Sequence, residues 1–183
     1  GENIIVDPGT YVYTPYPEER NKFRATSYHN LVYFDGLEQS CIANGLFSLF
    51  NEAHIDNASL RDEGGLIVFS GKIVYQGVSH ERHIKFKKGT AELEIIDLLI
   101  SPFNNRARIL FHLAPGLDYQ EGCHYIEKSG RQLAEIDVED SLLLIQDYHY
   151  SPEYGIKENA ICLYSEFTVG PQMRRIVTHI KGL

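Results

Sequence analysis

The chain has 183 residues, 43% of them hydrophobic, and a formal net charge of −8 with a pI near 5.4. That length and apolar content fit one domain with a core of ordinary size, and no apolar run approaches the ~20 residues that cross a bilayer. The acidic balance excludes a nucleic-acid partner, which needs a basic footprint; it leaves room for a polyanionic sugar, because a few arginines in a cleft reverse the field locally.

In chain order, Asn3–Val6 reads as an apolar strand that ends at Asp7 and turns at Pro8-Gly9. Alternation then puts Tyr11 and Tyr13 on one face and Val12 on the other, and Arg20 and Arg24 fall in a loop. Leu31–Phe34 reads as a strand closed by Asp35-Gly36. The only helical candidates are weak: Ile42–Phe50, interrupted by Gly45, and the short Asn57–Arg61. Strands follow at Leu66–Ser70, Lys72–Gln76, His83–Lys87, Glu92–Ile100, Arg106–Leu113, Cys123–Glu127, Leu142–Asp147, Ile161–Phe167 and Arg174–Ile180. The clearest period of two is in Arg106–Leu113, where Ala107, Ile109, Phe111 and Leu113 alternate with polar neighbours. Turn pairs punctuate the series at Gly64-Gly65, Ser70-Gly71, Lys88-Gly89, Ser129-Gly130 and Gly170-Pro171. Many short strands at this spacing predict an all-β fold, a multi-stranded antiparallel β-sandwich with little or no helix, as a single domain over 1–183.

Cys41, Cys123 and Cys162 are scattered, with no CxxC, and read as buried free thiols. There is no HExxH, P-loop or GxSxG motif. No signal-peptide pattern opens the chain, which reads as an excised piece of a longer protein.

The first 36 residues gather the densest chemistry. His29 is the strongest site candidate, as an imidazole facing a cleft or as a metal ligand; the plainer reading is a polar residue capping the next strand. Asp7 is a candidate metal ligand, set against a side chain that simply closes its own Asp-Pro-Gly turn. Tyr11, Tyr13 and Tyr16 are candidate cleft phenols, although tyrosine rings commonly pack in cores. Arg20 and Arg24 suit bidentate carboxylate or sulfate binding, or surface ion pairs with Glu18 or Glu19. His80 and Arg82 share a strand face, from which they could approach the cleft from below; the plainer reading is structural. His149, between Tyr148 and Tyr150, could belong to an aromatic loop that stacks on sugar rings; the plainer reading is a packed strand-end loop. His54, His83, His112, His124 and His179 show no paired ligand spacing.

Several stretches stand in order along nearly the whole chain: Val6-Asp7-Pro8-Gly9-Thr10-Tyr11, Arg20–Thr26 running into His29-Asn30 and Asp35-Gly36, His80-Glu81-Arg82, Ile96-Asp97, Phe111–Gly116 and Tyr150–Gly155. Together they resemble the C-terminal β-sandwich domain of the bacterial heparinase II/III-like polysaccharide lyases. The resemblance implies a supersandwich-like fold, a partner N-terminal (α/α) toroid in the parent chain, and an active site in the cleft between the two. It implies β-elimination at a uronic acid, with an acidic polysaccharide as substrate and a parent that is periplasmic or secreted. His29, Tyr13 and Tyr11 are then the catalytic candidates, and Arg20, Arg24 and Asn30 the substrate-binding ones. Metal-containing relatives would place zinc or calcium on residues matching Asp7 and His29, plus a histidine from a stretch that is missing here. The toroid-facing surface would be exposed in the fragment and promote self-association. Two other readings remain open: a non-catalytic sandwich that binds carbohydrate or packs on a partner domain, and a stand-alone metal enzyme needing a third ligand.

Overall fold

The computed structural model describes residues 2–42, 48–51 and 53–183. One helix, α1 (Pro17–Arg24), and a 3₁₀ turn (Thr26–Tyr28) precede the strands. These are β1 (Val32–Phe34), β2 (Ser40–Ile42), β3 (Leu49–Asn51), β4 (His54–Asp62), β5 (Leu66–Tyr75), β6 (Val78–Lys87) and β7 (Glu92–Ile100). There follow β8 (Asn105–His112), β9 (Asp118–Gln120), β10 (Tyr125–Lys128), β11 (Arg131–Val138), β12 (Leu144–Tyr150), β13 (Glu158–Val169) and β14 (Arg174–Gly182). Among the described residues no helix is long and apolar enough to cross a membrane.

The strands make an eight-stranded sheet, β4-β5-β6-β7-β14-β11-β10-β9, a four-stranded sheet, β1-β8-β13-β12, and the small pair β2-β3. The strand pairs are antiparallel, as the alternation predicts. Ile109, Phe111 and Leu163 of the smaller sheet form one core with Ile95, Leu99, Ile136 and Ile176 of the larger. A second, smaller cluster lies on the opposite face of the four-stranded sheet. There Phe23 of α1 and Tyr28 of the 3₁₀ turn pack on Leu110, Tyr148, Ala160 and Cys162. This apolar patch fixes α1, and with it the loop that carries the candidate residues. Ile55 and Leu60 on β4 and Phe69 on β5 stay exposed.

Several local expectations are corrected. Leu66–Ser70 and Lys72–Gln76 are one strand, β5, and Ser70-Gly71 pairs with His83 and Arg82 of β6 rather than turning. The chain turns instead at Gln76-Gly77, where both residues have positive φ, as a two-residue hairpin requires. Asn57–Arg61 is not helical but lies in β4, which carries a bulge between Ile55 and Asn57. Of Ile42–Phe50, the ends belong to β2 and β3, and residues 43–47 lie outside the described residues. Asn3–Val6 makes a single bridge, Ile5 to Leu113, rather than a full strand. Arg20 and Arg24 sit on α1, not in a loop. Pro17 opens that helix, Glu18 and Glu19 occupy its first turn, and Lys22 and Arg24 its last, an order that suits the helix dipole. Of the three cysteines only Cys162 is buried; Cys41 and Cys123 are exposed. Cys41 lies on β2 of the small two-stranded pair, and Cys123 in the turn between β9 and β10.

Candidate functional site

The Val6–Asp7 segment and the turn after Tyr28 are held side by side by Asn30. Its Nδ2 donates to the Val6 carbonyl at 2.8 Å, and its Oδ1 accepts the His112 backbone N–H at 2.7 Å. Val6 N–H in turn donates to the His112 carbonyl at 2.9 Å. This stitching brings the Asp7 carboxylate to the His29 ring, with Oδ2 2.7 Å from Nδ1. The other oxygen of Asp7 accepts the Gly9 N–H at 3.0 Å. Turn closure and the contact with His29 are therefore simultaneous roles of one carboxylate. An ionised carboxylate only accepts, so Nδ1 carries the proton that joins the pair, and among the described residues Nε2 has no hydrogen-bond partner. Both side chains are partly solvent-exposed.

A buried charged cluster supports the same turn. Arg82 on β6 donates from Nη1 to the Asn30 carbonyl at 2.8 Å. Its Nε and Nη2 grip Asp97 of β7 at 2.7 and 3.1 Å, and His80 Nε2 meets the same carboxylate at 2.5 Å. Asp97 is wholly buried. Burial pushes its carboxyl up, but the Arg82 charge and the His80 contact outweigh that and hold it below the usual range. His80 and Arg82 are thus structural, as the strand-face reading expects, with Asp97 as the partner that reading missed. The period-two pattern carries the signal: Ile95, Asp97 and Leu99 share the inward face of β7.

His112 is the other missed neighbour. It is buried on the far face of β8 with Leu110, its ring edge-on to Tyr148 at 4.7 Å. Burial, assisted by the nearby His29 and opposed by Asp7, pushes its pKa down to about 4. Because Asn30 Nδ2 is committed to Val6, the Asn30 oxygen 3.2 Å from His112 Nδ1 must accept, which fixes the proton on Nδ1.

The remaining sequence candidates separate. Tyr11 has a φ of 63° and therefore does not continue a strand; its ring packs on Phe23 at 5.5 Å. Val12 is buried, and Tyr13 is exposed, its ring against Tyr154 at 5.6 Å. The expected shared face of Tyr11 and Tyr13 is thus corrected, because a left-handed residue breaks the alternation. Tyr16 is exposed at the start of α1. Arg20 is buried, donating to the Tyr13 carbonyl at 3.1 Å and to Asn21 at 3.2 Å, so neither a surface ion pair nor a direct grip on substrate describes it. Arg24 donates to the Ser48 carbonyl at 3.2 Å and to Asn21 Oδ1. Asn30 spends its side chain on the stitching described above, a positioning role. His149 lies within β12 rather than in a loop.

The donor set does not complete a metal site. Zinc asks for about three or four ligands and calcium for six or more oxygens. Among the described residues no three His, Cys, Asp or Glu side chains gather in a metal-holding group. In addition, Asp7 Oδ2 and His29 Nδ1 are bonded to each other. These residues alone therefore do not fit a zinc or calcium centre.

The family profile described as "Heparinase II/III-like, C-terminal" matches residues 1–177. The chain belongs to the heparinase II/III-like family, as its C-terminal domain. The comparison with curated proteins finds no match. Among solved structures, the heparan sulfate lyase HepC from Pedobacter heparinus superposes with a TM-score of 0.78 at 16% identity, covering 100% of this chain and 29% of that one. The heparinase III BT4657 gene product gives 0.77 at 18% identity, covering 100% and 28%. A further heparinase III structure gives 0.75 at 12% identity, covering 100% and 28%. At these identities the likeness confirms the β-sandwich fold. The chain spans less than a third of the length of the lyases it matches.

Proposed function

We propose that this domain forms one wall of the active-site cleft of a polysaccharide lyase that cleaves uronic-acid-containing polysaccharide by β-elimination. The observation that carries the reading is the Asp7–His29 pair, a carboxylate orienting a partly exposed imidazole with Nε2 left free. Family membership and the heparan sulfate lyase activity named for the structural neighbour support it.

In the reaction a base removes the proton at C5 of the uronate. The C5–H electron pair forms the C4–C5 double bond, and the C4–O bond breaks as its oxygen takes a proton. A neutral His29 can accept or relay a proton at Nε2, and Asp7 stabilises the imidazolium that results. Asn30 and Arg82 hold that ring in register through the backbone. The C5 proton is very weakly acidic while the uronate carboxylate is charged, so cations or strong donors must neutralise that group. Arg20 is buried and Arg24 is turned to its own chain, so the neutralising groups come from the helical domain of the longer protein. A metal on Asp7 and His29 would need ligands from the same source. The exposed Ile55, Leu60 and Phe69 offer that domain an apolar contact.

The test is to incubate this chain, and the longer protein that carries it, with heparan sulfate. Unsaturated uronate is expected from the longer protein and not from this domain alone. Turnover by the isolated domain would refute the division of labour.

A further inference from the structure

We infer that Tyr13 and Tyr154 form a stacking platform for a sugar ring of an acidic saccharide, a binding subsite separate from the Asp7–His29 pair. The two residues come from loops far apart in sequence that are locked to each other. Ser151 N–H donates to the Pro8 carbonyl and Gly155 N–H to the Tyr11 carbonyl, both at 2.8 Å. Gly9, at a φ of 84°, lies so close that an added Cβ would stand 2.3 Å from the Ser151 carbonyl oxygen. On this clamped base the two rings are in tilted contact, with centroids 5.6 Å apart and planes at 32°. Tyr13 is 48% exposed and Tyr154 58%, with Tyr16 exposed a short way on.

One exposed tyrosine needs no explanation. Two held against each other by a braced backbone, each about half exposed, present apolar ring surface with polar hydroxyl rims. That is the complement of a pyranose, whose C–H face is apolar and whose edge is hydroxylated. The ordering cost of such a surface has already been met in folding, which favours binding.

The charge beneath the platform selects for acid. Arg20, 4% exposed, donates to the Tyr13 carbonyl and has no carboxylate within ion-pair distance among the described residues. Its field acts through low-dielectric protein rather than through water. The nearby carboxylate of Glu19 is neutralised by Lys157 at 2.5 Å, and Lys157 stands 4.7 Å over the Tyr11 ring. Glu153 is the carboxylate that the platform loop itself contributes.

The class of sugar rests on the lyase reading above; the platform does not. The experiment is a calorimetric titration of this chain with a heparan sulfate tetrasaccharide, beside its carboxyl-reduced form. Tyr13→Ala and Tyr154→Ala should each weaken binding roughly fivefold or more, and Tyr13→Phe and Tyr154→Phe by no more than about twofold, since the rings remain. The reduced sugar should bind roughly fivefold more weakly than the acid. Alanine variants that bind like the parent chain, or no binding by the parent chain at about 10 mM sugar, would overturn the platform. Equal affinity for the two sugars would overturn its preference for acid. Failure of the lyase reading would look different: no unsaturated product from the longer protein, while the alanine variants still lost affinity.

Discussion

Replacing His112 by phenylalanine removes a proton-binding group whose affinity folding has changed. In the folded chain its pKa is pushed down to about 4 from 6.5, chiefly by burial. Between those values the unfolded chain binds the proton and the folded chain does not, so stability rises with pH. The contribution is complete above pH 6.5 and is lost as pH falls toward about 4. At about 1.4 kcal/mol per unit, the difference amounts to roughly 3 kcal/mol of acid destabilisation. Phenylalanine keeps an aromatic ring against Tyr148 and Tyr28, and the backbone N–H of residue 112 still meets Asn30. Urea melts of both proteins at intervals from pH 7 to pH 4 are the assay. The parent chain should lose roughly 3 kcal/mol more than His112→Phe over that range, and the other histidines cancel in the difference. The depressed aspartates Asp97 and Asp35 give way only below their ordinary 3.8, outside the window, and the depressed glutamates Glu19 and Glu94, which start to give way below 4.5, are common to both proteins. Parallel stability curves would refute the assignment of a neutral buried His112.

Three further outcomes can be measured on the same chain. Asp97→Asn strands the Arg82 charge in the interior and should cost about 3–5 kcal/mol in urea unfolding at pH 7. Because folding holds the Asp97 carboxyl below 3.8, that cost should shrink as pH falls through its folded value, and a cost under about 1 kcal/mol at pH 7 would contradict the cluster. Gly9→Ala meets both a positive φ and the Ser151 carbonyl, and should cost at least about 2 kcal/mol; an unchanged thermal midpoint would show that the loops are not clamped there. Cys41 and Cys123 should react quickly with a thiol reagent, whereas Cys162, buried and with its pKa pushed up to about 12, should react only on unfolding. Three fast thiols would contradict the second core cluster.

The strands that alternate cleanly were legible because one face of each is buried: Arg106–Leu113 and Glu92–Ile100 correspond to β8 and β7. Strand β4 was not, since nearly all its residues are exposed and its sequence has no apolar period. Gly71 misled because glycine also marks places where a side chain crosses the backbone; here an added Cβ would stand 2.9 Å from the Phe69 ring. The eight-residue α1 was hidden by its polarity, although its end residues carry helix signals. At the site, Asp7 and His29 were named from sequence and meet. Arg20 was named for its charge, but sequence does not reveal that Tyr13 and Asn21 would absorb its donors. The Tyr13–Tyr154 contact depends on the clamped loops, a long-range pairing that no local pattern announces.

The most direct test of the account is the turnover number of the longer protein carrying His29→Ala, measured on heparan sulfate by the ultraviolet absorbance of unsaturated uronate. If His29 serves the elimination, turnover should fall by roughly 100-fold or more while the variant remains folded. Wild-type turnover in His29→Ala, with the domain folded and substrate bound, would contradict the claim that this domain takes part in the chemistry.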